Sequence, residues 1–479
     1  MEEVLALTPI ILPLIGVLLV LFVGRYSERG RGAVSVVFTV ILFAGSAAYT
    51  ASLQGDSVSP LAFGPIVLDA PGMVIVSLVF FIGALVLLYS LSYKSDEFNT
   101  LYFVAYFLFM STMNGLATSY NIVVMFVFLE AATVISAFLV LYSRTTRAVR
   151  AATIYLAISI FEVILIIVAV FALYSQTGTV DLLTIQPDRI SDSYRMPLTL
   201  LLLFGFGTKA GLLPLSFFWL PPAHAEAPSS ISATMSGIMI KAGVLATAKA
   251  IFALYPVLDV HTIALVVGGF GAANMLVGVI AAALSYDIKR LLAFHSISQM
   301  GYIFLGIGIA TSLSTYGALF HILNHMLFKG CLFLITGVVL LQVGTRSIRD
   351  MGGLLKHMPM TAVCFLISSL AMSGVPGLNG AVSKGIIHEA TIEAGFPFFA
   401  TIADITSVLT FYSLVIHAFY RMFLRKRKEE LTDATDPPPN MMIPLIILAG
   451  LCVVLGLFPG LVSSTLEFAG QTLSQMAMR

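Results

Sequence analysis

Six ionisable side chains lie inside long apolar runs: Glu130, Glu162, Lys209, Lys241, Lys329 and Lys384. One central Lys or Asp costs about 2.5–3.5 kcal/mol to insert into a bilayer before any partner helps. Six such groups cannot all face hydrocarbon, so they must face one another or internal water. In FHILNHMLFKG, His321, His325 and Lys329 recur every fourth residue and share one helical face. That spacing reads as a line of groups that pass a proton. A metal would need further ligands, and this run offers no carboxylate; satisfied core histidines are the plainer alternative. His295, in KRLLAFHSISQMGY, opens a neighbouring run and extends the line. Glu162 reads as a lesser partner or a packing charge. His224 and Glu226 follow a Pro-rich stretch and read as a gate or as a helix-cap arrangement.

The residue types suit a pump. An adjacent opposite charge favours the charged form of a group, and burial alone disfavours it. Bringing a Glu–Lys pair together or apart therefore switches proton affinity. Histidine titrates near neutrality and can link the steps. Glu130 and Lys209 are the expected pair.

The elements that must position these groups are membrane helices. The 479 residues are 59% hydrophobic and 10% charged, with a mean hydropathy of +1.00. Soluble chains average about 25% charge. Fourteen apolar runs are predicted, over 5–24, 33–53, 72–92, 101–118, 121–142, 151–174, 197–218, 228–253, 261–284, 291–311, 316–342, 359–391, 399–424 and 441–463. The first is expected to be a retained helix, because Met1-Glu2-Glu3 is acidic and no small-residue cleavage site follows. A net charge of +1 argues against a nucleic-acid partner. Cys331, Cys364 and Cys452 are scattered without CxxC spacing, so no metal or cofactor is expected. No Walker-type phosphate loop is present, and GGFGA at 268–272 reads as close helix packing.

If both termini lie outside, seventeen of the 25 Lys and Arg residues fall in inner loops and four outside. That bias follows the positive-inside rule. The outer four include Lys249, which is expected to snorkel to the interface. Runs seven and twelve are interrupted, by Pro214, Pro221 and Pro222 in one and by Pro376 and Gly377 in the other. Each carries a lysine at the break, Lys209 and Lys384. The offset of five runs is odd, so equivalent repeats would have opposite orientations, a transporter pattern that points to the transport site.

Several segments resemble one family. They are KAGLLPLSFFWLPPAHAEAPSSISATMSGIMIKAG (209–243), DIKRLLAFHSISQMGY (287–302), HILNHMLFKGCLFLITG (321–337), GVPGLNGAVSKGII (374–387) and IPLIILAGLCVVLGLFPG (443–460). The chain is similar to the antiporter-like subunits of respiratory complex I, Mrp cation/proton antiporters and energy-converting membrane hydrogenases. The ending around Lys384 is closest to the Mrp and hydrogenase branch. The resemblance implies an all-α polytopic fold of 14 transmembrane helices, with spans 4–8 and 9–13 as inverted five-helix repeats containing broken helices 7 and 12. It divides one membrane domain into 1–97, 98–253, 254–424 and 425–479, and puts both termini outside. It matches Glu130, Lys209, Lys241, His321, His325, Lys329 and Lys384 to the family's relay positions, with His295 as a local addition. Ser216 stands where many members have His, the spacing from Pro214 to Trp219 is one residue longer than usual, and no C-terminal extension with a lateral helix is expected.

The implied function is proton translocation in the cell membrane as one subunit of a multisubunit redox-driven or Mrp-type complex. Its partners would be other membrane subunits, a peripheral redox module and the lipid bilayer. The chain itself carries no redox or nucleotide chemistry. A stand-alone secondary solute transporter is the alternative reading.

Overall fold

The computed structural model describes residues 2–54, 59–93, 98–426 and 434–478. Lys94, Arg427, Lys428 and Arg479, all used in the orientation argument, lie outside the described residues. Among the described residues the fold is 82% helical, with seventeen principal helices. They are α1 (Thr8–Val23), α2 (Glu28–Ser52), α3 (Ala70–Ser90), α4 (Thr100–Thr118), α5 (Ile122–Val140) and α6 (Thr146–Thr177). Next come α7 (Asp192–Lys209), α8 (Ser216–Glu226), α9 (Ser229–Phe252), α10 (Val260–Leu284), α11 (Ile288–Ile309) and α12 (Ser312–Val343). The rest are α13 (Pro359–Ser373), α14 (Asn379–Glu393), α15 (Pro397–Leu424), α16 (Pro439–Leu457) and α17 (Gly460–Met476). A short antiparallel hairpin, Ala62–Phe63 with Ile66–Val67, lies between α2 and α3.

Polar side chains start these helices where the backbone leaves the apolar layer. Asp69, Asn99, Asn121, Thr145, Asp287 and Thr311 each accept a hydrogen bond from a first-turn backbone N–H, satisfying donors that no helix bonds internally. Gly178, Gly344 and Gly374, at φ of 73°, 74° and 84°, stop α6, α12 and α13. Among the described residues, eleven helices are long and apolar enough to cross a membrane, and α1 and α13 are shorter apolar helices. The outward faces are hydrocarbon: Ile160, Phe171, Leu284 and Val408 are all more than 60% exposed. Such a belt suits lipid and not water. Inside it, α9 is entirely buried and α11 nearly so, with α12 packed against both.

The breaks fall where the prolines predict them. α7 ends at Lys209, and α8 begins at Ser216. α13 ends at Ser373, and α14 begins at Asn379. Two expectations change. Span 14 ends at Leu457, not 463, and α17 then folds back against α12, with Tyr316 Oη donating to Ser463 Oγ at 3.0 Å. Span 8 is not a plain helix, because Met235–Met239 forms a π-type turn just before Lys241.

Lys249 also departs from expectation. It does not snorkel: its side chain is fully buried. Its ammonium donates to Ala117 O at 2.7 Å, lies 4.0 Å from Asp69 Oδ1, and sits 3.8 Å from the centre of the Tyr120 ring. Tyr120 in turn donates to Asp69. The lysine thus ties the end of α4 to the start of α3. Lys249→Met should lower stability by about 3 kcal/mol, because Asp69 would be left buried without its cation. Adding Asp69→Asn should recover most of the loss. Melting of the detergent-purified protein reads both, and an unshifted midpoint for the single variant would refute the tie.

Candidate functional site

Three lysines of the expected relay, Lys209, Lys241 and Lys384, sit at or just past an irregular piece of backbone. The break after α7 frees backbone groups that need partners. Asn274 of α10 supplies them: its Oδ1 accepts from Leu213 N at 2.9 Å, and its Nδ2 donates to Gly211 O at 2.8 Å. Trp219 Nε1 donates to Thr208 O at 3.1 Å. Lys209 leaves the helix at this point. Its Nζ donates to Ser159 Oγ at 2.5 Å and to Glu162 Oε2 at 3.1 Å, and lies over the rings of Tyr155 and Trp219, at 4.8 and 5.9 Å. Both members of this ion pair are buried.

The acid that meets Lys209 is therefore Glu162, not Glu130. Glu130 is half-buried on α5, and its Oε1 has no protein partner. Tyr155, Ser159 and Glu162 fall at i, i+4 and i+7 on α6, so one face of that helix receives the lysine. That stripe was the available signal for Glu162.

Lys241 follows the π-type turn. Its Nζ donates to Ser236 O at 2.7 Å and meets His325 Nδ1 at 2.5 Å. Helix α9 comes close to the α7 break because residue 243 is glycine. A Cβ there would stand 3.1 Å from Ala210 N and 3.2 Å from Lys209 C. Tyr155 spans the same gap, with its hydroxyl 3.3 Å from the Met239 sulfur. The Lys209 and Lys241 sites are thus packed neighbours.

The stripe on α12 continues the line. His325 and His321 are one turn apart, a rise of about 6 Å. His321 Nδ1 meets Ser383 Oγ at 3.0 Å, and Asn324 Nδ2 donates to the same hydroxyl at 2.9 Å. Tyr302 stands between His321 and Lys384, with its ring centre 5.3 Å from the imidazole and 4.5 Å from Lys384 Nζ. Lys384 sits on α14 just past the second break. It donates to Met372 O at 2.9 Å and to Ser407 Oγ at 3.1 Å. Met372 lies in the last turn of α13, whose carbonyls lack helical partners. Unlike Lys209, Lys384 has no ion pair among the described residues.

Lys329 and His295 form a side branch. Lys329 Nζ donates to Leu292 O at 2.5 Å, and His295 Nε2 meets Ser413 Oγ at 2.5 Å. Ser296, beside His295, meets Ser236 Oγ at 2.9 Å, which ties the branch to the Lys241 turn. His224 is separate from Glu226: its ring stacks on Phe333 at 5.1 Å, while Glu226 pairs with Arg346 at 3.0 Å. Among the described residues, no cluster of three or more His, Cys, Asp or Glu could hold a metal.

The row is buried, polar and only partly satisfied by protein. Glu162 Oε1, His295 Nδ1, His321 Nε2, His325 Nε2 and both His224 nitrogens have no protein partner. Buried polar atoms normally find one in protein or in ordered water. The serine hydroxyls at 159, 383, 407 and 413 were not singled out in the sequence. They meet Lys209, His321, Lys384 and His295 respectively, and each can both donate and accept.

Residues 119–410 match the family described as NADH:quinone oxidoreductase/Mrp antiporter, TM. The chain is 30% identical to a Na(+)/H(+) antiporter subunit of Alkalihalophilus pseudofirmus over 94% of its own length and 93% of that protein. It is 32% identical to hydrogenase-4 component B of Escherichia coli over 77% of its length, spanning 59% of that longer chain. Its fold matches a chain of the membrane-bound sulfane sulfur reductase, an archaeal respiratory membrane complex, at a TM-score of 0.88 and 23% identity over 99% of both chains.

Proposed function

Because the chain belongs to the NADH:quinone oxidoreductase/Mrp antiporter transmembrane family, we propose that it is a proton-translocating, antiporter-like subunit of a multisubunit membrane complex. The observation that carries this is the contact series Glu162–Lys209, Lys241–His325 and His321–Ser383, leading to Lys384. The proposed path takes protons in near Glu130 and Lys209, laterally through Lys241, His325 and His321, and out near Lys384. Lys329 and His295 flank it. Water bridging the orphaned ring nitrogens would complete it. Separating Lys209 from Glu162 would change the proton affinity of both, and a partner subunit would supply that push. Relatives in Mrp, hydrogenase and respiratory complexes support membrane partners with or without a peripheral redox module.

The proposed topology has fourteen crossings. It adds α1, the broken pair α7–α8 and the broken pair α13–α14 to the eleven long apolar helices. Spans 4–8 and 9–13 would then be inverted repeats with a lysine at each break, and the excess of basic loop residues supports an orientation with both termini outside. The polar groups run across many helices and do not ring one central cavity, which argues against a solute carrier.

Lys384→Met offers a clean test. Its hydrogen-bond acceptors, Met372 O and Ser407 Oγ, are uncharged, so the substitution strands no opposite charge and should spare the fold. Proton translocation by the reconstituted parent complex should fall about a hundredfold or more, the scale expected for loss of a positioned proton-transfer group. A correctly assembled complex that translocates at the original rate would refute the relay.

A further inference from the structure

We propose that the polar mouth between α6, α8 and α11 is a binding site for one anionic phospholipid, with its phosphate held by Arg147, Arg150 and Arg290. Two adjoining clefts of about 470 and 520 Å³ meet there and share Arg147, Glu226 and Arg346. The acids present are already engaged: Arg346 binds Glu226 at 3.0 Å and Asp287 at 3.2 Å. Lys289 donates to Ala227 O. Arg147, Arg150 and Arg290 are exposed, line the larger cleft, and have no ion pair among the described residues. Three uncompensated guanidiniums around one concavity attract an anion, and a guanidinium fork fits phosphate oxygens.

What lies below the arginines identifies the anion as a lipid. On α6, Arg147, Arg150, Ala151 and Ile154 follow one another down a single face, so the wall turns from basic to apolar within two turns. On α8, Phe218 lies one turn from Pro222 at the cleft and is 58% exposed. On α11, Phe294 lies one turn from Arg290, and its ring stands 5.3 Å from that of Phe217. The seam therefore presents charge at the mouth and aromatic hydrocarbon beneath it, the order of a headgroup above an acyl chain. Basic pockets between membrane helices commonly bind anionic headgroups. The lipid would lie beside the broken pair α7–α8 that carries Lys209. The inference does not depend on proton translocation.

The test is native mass spectrometry of the complex purified with the full chain and titrated with dioleoyl phosphatidylglycerol, with dioleoyl phosphatidylcholine and with inorganic phosphate. The wild type should retain one phosphatidylglycerol in preference to phosphatidylcholine, and millimolar phosphate should not displace it. R147Q/R150Q/R290Q should weaken that binding on the order of a hundredfold, and R150Q alone about fivefold if the triple variant does not fold. Equal retention of the two lipids, or unchanged binding in the variants, overturns the site. Displacement of the lipid by inorganic phosphate would make it a free-anion site and overturn the lipid assignment. A partner-subunit helix filling the cleft in place of lipid would also overturn it.

Discussion

Replacing Lys209 with methionine is expected to abolish proton translocation and to destabilise the fold together. Lys209 and Glu162 are buried and 3.1 Å apart, and the carboxylate's other oxygen has no protein partner. Removing the cation leaves a buried carboxylate alone, which costs about 3–5 kcal/mol in comparable pairs. The double variant Lys209→Met, Glu162→Gln removes the stranded charge and should recover most of that stability. Translocation should stay at least about a hundredfold down, because the titratable group is still missing. Stability and transport thus part company in the double variant, which a purely structural ion pair would not produce. Glu130→Gln is the control: placed in the Lys209→Met background, it should leave the melting midpoint low. Rescue by Glu130→Gln in place of Glu162→Gln would reassign the partner of Lys209.

Which features were legible in the sequence follows from what a bilayer rewards. The two helix breaks were visible because Pro214 and Pro376 limit helical hydrogen bonding whatever surrounds them. The relay lysines and histidines were visible because ionisable groups inside hydrocarbon are costly and therefore stand out. The partner of Lys209 was not. In a soluble helix the apolar stripe marks the buried face, but lipid is as apolar as a packed interior, so apolar residues do not mark the inward side of α5 and α6, and the polar stripe of Tyr155, Ser159 and Glu162 does not by itself name the lysine it receives. Glu130 looked central by position, and only packing showed that the face of Tyr155, Ser159 and Glu162 meets the α7 break.

Other misses share that origin. Lys249 lies near a helix end, where snorkelling is the ordinary outcome. Its carboxylate partner, Asp69, is distant in the chain and reads locally as a helix cap, which it also is. The turn at Met235–Met239 contains no proline, so nothing local marks it; it accompanies the bond from Lys241 back to Ser236 O. Helix α17 carries Ser463, Thr465, Glu467 and Gln471 and is too polar to register as an apolar run.

His325 decides whether the row works as one path. Its Nδ1 meets Lys241 Nζ at 2.5 Å, and it lies one turn from His321, which reaches Ser383 beside Lys384. Phenylalanine at this position would keep the aromatic packing against Phe328 and remove both ring nitrogens. Lys241 would still hold Ser236 O, so the fold should tolerate the change. If protons pass in series from the Lys209 side to the Lys384 side, His325→Phe should cut translocation about a hundredfold, matching Lys384→Met. The double variant should be no worse than either single one, because groups in one obligatory path are not additive. If each half of the chain instead had its own outlet, about half of the transport would survive His325→Phe, and the double variant would fall further. Vesicle proton uptake, normalised to assembled complex, separates the two outcomes. Half-retained uptake would defeat the serial path while leaving the Lys209–Glu162 pair intact as a local switch.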